Sequence, residues 1–163
     1  MVVPLAQKRH DLELIEPFLL AIVETMKVQC GLAVRPGEPF RKDGGESFPT
    51  DVIAVFGVLS RAMGDIVSVA ICFSDKDYHA IMERFFHQDD AEAKAGDGIG
   101  EMVSMVFARV KKLMNLDGQI IKRMIPTMIS GKDLKISYLT SGKSVVVPLD
   151  TDVGKFHLEL TME

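Results

Sequence analysis

The sequence predicts an α+β fold in which two long helices pack on one antiparallel sheet. Three observations lead there. Apolar residues recur at helical spacing in two segments far apart in the chain, strand-like runs rich in Val and Ile follow the first of them, and alternating apolar and polar residues follow the second. The third is internal repetition: "ELIEPFLLAIVETMKV" and "EMVSMVFARVKKLMNL" superpose without gaps, placing Glu13 over Glu101 and Glu16 over Ser104. The strands "GDIVSVAICF" and "GKFHLELTM" follow at a similar separation, so each half reads as a helix followed by antiparallel strands. At 163 residues, the chain is read as a single domain over 1–163, long enough for one substantial core.

Taken in order, the first helix is expected from about Glu16 to Gln29, with Leu19, Ile22, Val23 and Met26 at helical spacing and Gly31 as a stop signal. Pro17 fits the first turn, since deeper in a helix it removes a backbone hydrogen bond and clashes with the preceding turn. "RPGEPFRKDGGESFP" is turn-rich with room for one short edge strand. "DVIAVFGVLS" and "DIVSVAICFS" read as two buried strands joined tightly at Met63-Gly64-Asp65. Ser74 is a candidate N-cap for a shorter helix over "DKDYHAIMERFF", and "HQDDAEAKAGDG", small and polar, reads as the mid-chain connector. The second long helix follows. Ile99, Met102, Val103, Val106, Val110, Leu113 and Met114 form its apolar stripe, while Glu101, Ser104, Ala108, Lys111 and Asn115 line another face. Residues three apart on a helix are neighbours, so the Glu101 carboxylate and Ser104 hydroxyl are presented together. Strands are expected at about 133–140, 144–149 and 155–162. In the last, Phe156, Leu158, Leu160 and Met162 form a buried face, and Lys155, His157, Glu159 and Thr161 a wet one.

Composition excludes several function classes. With 47% apolar and 26% charged residues the chain is neither disordered nor membrane-spanning, and no apolar run approaches the ~18 residues of a transmembrane helix. The N-terminus lacks the pattern of a signal peptide. Cys30 and Cys72 are too few for a disulfide framework and read as reduced, buried residues of a cytoplasmic protein. A net charge of −4 without a long basic cluster argues against nucleic acid as a partner.

Candidate motifs fail on their own chemistry. "GDGIG" lacks the lysine of a phosphate-binding loop and the spacing of a dinucleotide fingerprint. "DAEAKAGDGIGE" begins and ends like a calcium loop, but Lys94 stands at a ligand position and Ala95 replaces the turn glycine. His10, His79, His87 and His157 show no metal-ligand spacing and read as surface or locally structural residues. No GxSxG nucleophile elbow occurs.

The stretch "DGIGEMVSM" resembles the helix that carries the active site in the CheX/CheC family of chemotaxis phosphatases. The family pattern there is an acidic residue, a small or glycine-containing step, then Gly-Glu-x-x-Asn. "EPFLLAIVETM", "RPGEPFRK" and "DVIAVFGVLSRAMGDIVSVAICFS" resemble the family's first helix, connector and strand pair, and by length the CheX branch is the nearer. The resemblance implies a CheC-like fold whose duplication accounts for the internal repeat. It implies a partner, a CheY-like response regulator phosphorylated on aspartate, whose own Mg²⁺ neutralises the phosphoryl group, so that no cofactor is bound by this chain. Such proteins pair through their sheets, which implies a homodimer. Carried over by position, Glu101 docks on a cation of the regulator, and Ser104 stands where the family has the Asn that orients the attacking water. Glu16 lies at the same position of the first repeat and offers no amide either. Activity weakened by Ser104, a non-catalytic regulator-binding module, and a domain that keeps only the fold are the three functions this pattern leaves open.

Overall fold

The computed structural model describes residues 5–42, 50–60, 66–86, 91–116, 121–122, 127–134 and 143–162. Helix α1 spans Leu5–Cys30, well ahead of the expected start at Glu16, with Pro17 inside it and Glu13 helical. An interior proline costs ~3 kcal/mol or more, yet the buried stripe runs across it: Ile15 lies before Pro17, and Phe18, Ala21, Ile22 and Met26 lie after it. Burial on both sides holds the two segments as one helix. Gly31, at φ 63°, ends it as expected, its N–H donating to the Lys27 carbonyl at 3.2 Å.

The turn-rich stretch supplies two short strands, β1 (Arg35–Pro36) and β2 (Phe40–Lys42). Strands β3 (Val52–Ser60) and β4 (Ile66–Phe73) pair antiparallel from Val52↔Phe73 to Leu59↔Ile66, as their sequences predict. Their joining residues 61–65 lie outside the described residues. Ser74 caps α2 (Asp75–Phe86): its hydroxyl accepts from the Asp77 N–H at 3.2 Å and donates to the Asp77 carboxylate at 2.8 Å.

Helix α3 runs over Ala91–Leu116. Its first turns occupy what the sequence suggested was connector. Ala91, Glu92, Ala93, Lys94 and Ala95 are small or polar but also strong helix formers, and that preference prevails over the glycines that follow. After β5 (Ile121–Lys122) comes β6 (Thr127–Ser130), earlier than the strand expected at 133–140. Residues 131–134 turn back instead, the Gly131 and Leu134 N–H groups donating to the Asp51 and Thr50 carbonyls at 2.9 and 2.8 Å. The rest of that expected strand, 135–140, lies outside the described residues. Strands β7 (Lys143–Asp150) and β8 (Lys155–Met162) form the final hairpin.

The sheet order is β1–β7–β8–β4–β3–β5, with β2 beside β1 on the edge of β7 and β6 beside β5 on the edge of β3. Each helix-plus-strands unit therefore gives its first strands to the other unit's sheet edge, and β4 and β8 meet antiparallel at the centre. Neither half completes its sheet alone.

All three helices contribute to one buried cluster against one face of the sheet, where Ile71, Phe73, Val147, Leu149, Phe156, Leu158 and Leu160 meet the apolar sides of α1, α2 and α3. Phe73 stacks on Phe156 with ring centroids 5.1 Å apart, and Tyr78 meets Phe73 edge-on at 5.7 Å. Among the described residues no helix is long and apolar enough to cross a membrane.

The second face of β8 corrects an expectation. Lys155 is exposed, but Glu159 and Thr161 are 1% and 2% exposed and His157 is half-buried. Alternation marks which side chains share a face; it does not say whether the outer face is covered. Here β8 is central, and its outer face is enclosed with Ile53, Ala70 and Cys72.

Candidate functional site

Helix α3 places the two singled-out residues as their spacing requires. Ile99, Met102, Val103, Val106, Val110 and Met114 are buried and Leu113 is half-buried, which locks the helix against α1, α2 and the sheet. Glu101, Ser104, Ala108 and Lys111 are exposed on the remaining surface, while the Asn115 side chain lies outside the described residues. Among the described residues neither Glu101 nor Ser104 makes a hydrogen bond or ion pair, so both side chains present their full polar capacity outward.

The residue ahead of Glu101 adds a clue. A methyl group placed on Gly100 would meet nothing within 4 Å, so packing inside this chain does not call for glycine there. In a helix interior glycine costs about 1 kcal/mol relative to alanine. Neither helix preference nor packing within the chain therefore accounts for a glycine beside Glu101.

The first repeat lacks a matching pair. Glu13 and Glu16 are exposed on α1, and two carboxylates there offer no hydroxyl or amide beside a docking acid. Helices α1 and α3 pack together, joined at their surface by Arg109 Nη1 and Glu24 Oε1 at 3.9 Å. At that separation and exposure the pair adds little stability.

On the opposite face of the sheet lies a polar group that sequence reasoning missed. Lys42 Nζ sits 3.3 and 3.4 Å from the two Glu159 carboxylate oxygens, with both side chains largely enclosed. Beside them, Cys72 pairs across the strands with His157. Burial, reinforced by the Glu159 carboxylate, pushes the Cys72 thiol up to about 12. Burial, then the Lys42 charge, pulls the His157 imidazole down to about 4, so it is neutral rather than a protonated surface group. Ser144 and Thr161 share a hydrogen bond of 2.9 Å on the same face. Cysteine and histidine here are 85 positions apart in the chain and touch through strand register alone; the one available signal was that Cys72 falls among the alternate, non-core positions of a strand.

A sheet interlocked from two similar halves, with three helices packed on one of its faces, defines a CheC-like fold, and it carries an exposed acid and hydroxyl one turn apart on α3. A family model described as chemotaxis phosphatase CheX matches residues 52–150, most of the chain and both candidate residues, and the chain belongs to that family. No curated protein matches it. Among solved structures, a chemotaxis protein CheX from Desulfovibrio desulfuricans is similar at TM-score 0.80 and 23% identity, covering 93% of this chain and 99% of that one. CheX from Vibrio vulnificus is similar at TM-score 0.79 and 23% identity, covering 93% and 99%. The Borrelia burgdorferi protein crystallised as a CheX–CheY–BeF3–Mg²⁺ complex is similar at TM-score 0.73 and 16% identity, covering 91% and 97%. At these identities the likeness establishes a shared fold.

Proposed function

We propose that this chain docks a CheY-like response regulator phosphorylated on aspartate through α3 and promotes hydrolysis of its acyl phosphate in the cytoplasm. One observation carries this: Glu101 and Ser104 are both exposed, one turn apart, on a helix whose other side is fixed in the core. Family membership and a fold shared with a protein crystallised together with CheY support the choice of partner.

The chemistry asks little of the chain beyond positioning. The regulator's own Mg²⁺ offsets the phosphoryl charge, Glu101 pairs with a cation of the regulator, and a water held by the Ser104 hydroxyl attacks phosphorus in line. The phosphorus–oxygen bond to the regulator's aspartate breaks and the carboxylate leaves. A serine oxygen ends about one bond, roughly 1.2–1.5 Å, short of an amide oxygen at the same position. A misplacement near 1 Å can cost roughly 10²-fold. That shortfall favours, as the second reading, a module that docks the regulator and hydrolyses slowly or not at all.

Phosphate release from a matched phosphorylated regulator, measured with the wild type and with Ser104→Asn against spontaneous decay, separates the two. Faster release by Ser104→Asn, by about tenfold or more, supports a hydrolytic site limited by reach. Binding without acceleration in either form supports the docking module, and absence of binding overturns both.

A homodimer belongs to the same proposal. Strand β6 pairs with β3 on one side only among the described residues, and it leaves Met128 and Ile129 40% and 45% exposed. An open edge with apolar side chains invites a second strand. A monomeric mass in sedimentation at micromolar concentration would count against it.

A further inference from the structure

The outer-face cluster has more ligand chemistry than an ion pair needs. One oxygen of Glu159, one ring nitrogen of His157 and the Cys72 sulfur all lie within 4.8 Å of one another. Strand register produces this: Cys72 sits directly across from His157 in the antiparallel β4–β8 pair, and Glu159 is two residues along β8 on the same face. Cys72 and Glu159 are 0% and 1% exposed.

The fold itself does not ask for these residues. Aligning β4 and β8 from their first residues, Ile66 and Lys155, sets Ser68 against His157, Ala70 against Glu159 and Cys72 against Thr161. The equivalent place across the centre of the sheet thus carries Ser68, Ala70 and Thr161, and the strand pair forms there with small, weakly polar side chains. A fully enclosed carboxylate is costly unless a cation meets it. Lys42, reaching in from β2 to both carboxylate oxygens, is that cation.

We propose that Cys72, His157 and Glu159 form a binding site for one Zn²⁺ ion, and that Lys42 occupies the carboxylate when the ion is absent. A thiolate, an imidazole and a carboxylate suit zinc, whereas calcium and magnesium take oxygen ligands. Zinc–ligand bonds of about 2.0–2.3 Å require the three atoms to draw together by roughly 1 Å, within reach of side-chain rotation. The charges balance in both states. Without the ion, ammonium faces carboxylate beside a neutral thiol. With it, Zn²⁺ is offset by thiolate and carboxylate, the thiol proton passes to water, the Lys42 ammonium moves out to solvent, and a water completes four-coordination. Lys42 and Cys72 come from the first helix-plus-strands unit, and His157 and Glu159 from the second, so the ion would clasp the two halves at the centre of the sheet.

The test uses the full chain, stripped with chelator and kept reduced. Titration with Co²⁺ is expected to give one equivalent per chain, with a near-ultraviolet thiolate-to-cobalt band and the visible bands of tetrahedral cobalt, both lost on adding Zn²⁺. Cys72→Ser should abolish the thiolate band, and Cys30→Ser should keep it. His157→Gln should weaken affinity by about tenfold or more. Lys42→Met removes the competing cation, so its melting temperature should rise more on adding Zn²⁺ than that of the wild type. No cobalt uptake by the wild type, or a thiolate band that survives Cys72→Ser, overturns the proposal. Equal zinc response in Lys42→Met and wild type overturns the exchange with lysine. Since the wild-type titration is decisive alone, a variant that fails to fold does not spare the proposal.

Discussion

Replacing Gly100 with alanine should move stability and docking in opposite directions. The added methyl meets no atom within 4 Å in the free protein, so it introduces no clash there. Gly100 lies well inside α3, the tenth residue of a helix that starts at Ala91, so end effects do not dilute the backbone term. Alanine is favoured over glycine in a helix interior by about 0.8–1.0 kcal/mol. For a domain of this length 1 kcal/mol corresponds to roughly 2–4 °C in melting temperature. Docking should respond the other way. If the regulator packs closely beside Glu101, a methyl at a tight contact costs about 1–3 kcal/mol, which is roughly 5- to 150-fold in Kd. The assay pairs a thermal melt with titration of the phosphorylated regulator. A lower melting temperature would refute the claim that the space is open. Higher stability with unchanged binding would refute the claim that glycine serves the docking surface, and would move the contact away from Gly100.

Glu101→Lys should leave the melting temperature nearly unchanged, because the side chain is exposed and makes no hydrogen bond or ion pair among the described residues; regulator affinity should fall clearly as an attractive charge contact becomes repulsive, and unchanged affinity would remove Glu101 from the site. Thr25 is fully buried with a hydroxyl that finds no partner among the described residues, so Thr25→Val, which keeps the shape, should raise stability by about 1 kcal/mol in chemical denaturation. In the metal-free protein, His157 is held near 4 against an ordinary value of 6.5 by burial and by Lys42, with Cys72 and Glu159 facing it on the same surface. Its folded pKa lies below its unfolded one, so the unfolded chain takes up the proton first, and stability present above pH 6.5 is lost as pH falls toward 4. The loss attributable to this group is about 2 kcal/mol between pH 7 and pH 5, and urea titrations at those two pH values should show it shrinking in His157→Gln.

Sequence by itself determined the helix-plus-strands repeat, the strand pair β3–β4, the strands that become β7 and β8, the cap at Ser74 and the exposed placement of Glu101 and Ser104. These are local matters: periodicity says which side chains share a face, and three-residue spacing on one helix sets two neighbours without reference to anything distant. The family resemblance rested on the same kind of contiguous pattern, "DGIGEMVSM", and the family match bears it out. What lay beyond reach depended on long-range balance. Pro17 marked a helix start by propensity, and only burial of Ile15 and Phe18 on either side shows why α1 runs through it. The alanine-rich segment before Gly98 reads as connector by its small, polar composition, and only its continuity with the packed stripe makes it the start of α3. The exchange of first strands between the two halves has no local signature, because edge strands as short as β1 and β5 take their pairing from whichever sheet edge the core leaves open. The Lys42–Glu159–His157–Cys72 group is the extreme case. Its members come from three strands, alternation marked two of them as wet, and enclosure of the sheet's outer face alone turns those side chains into a buried cluster where charge, protonation and metal affinity are decided together.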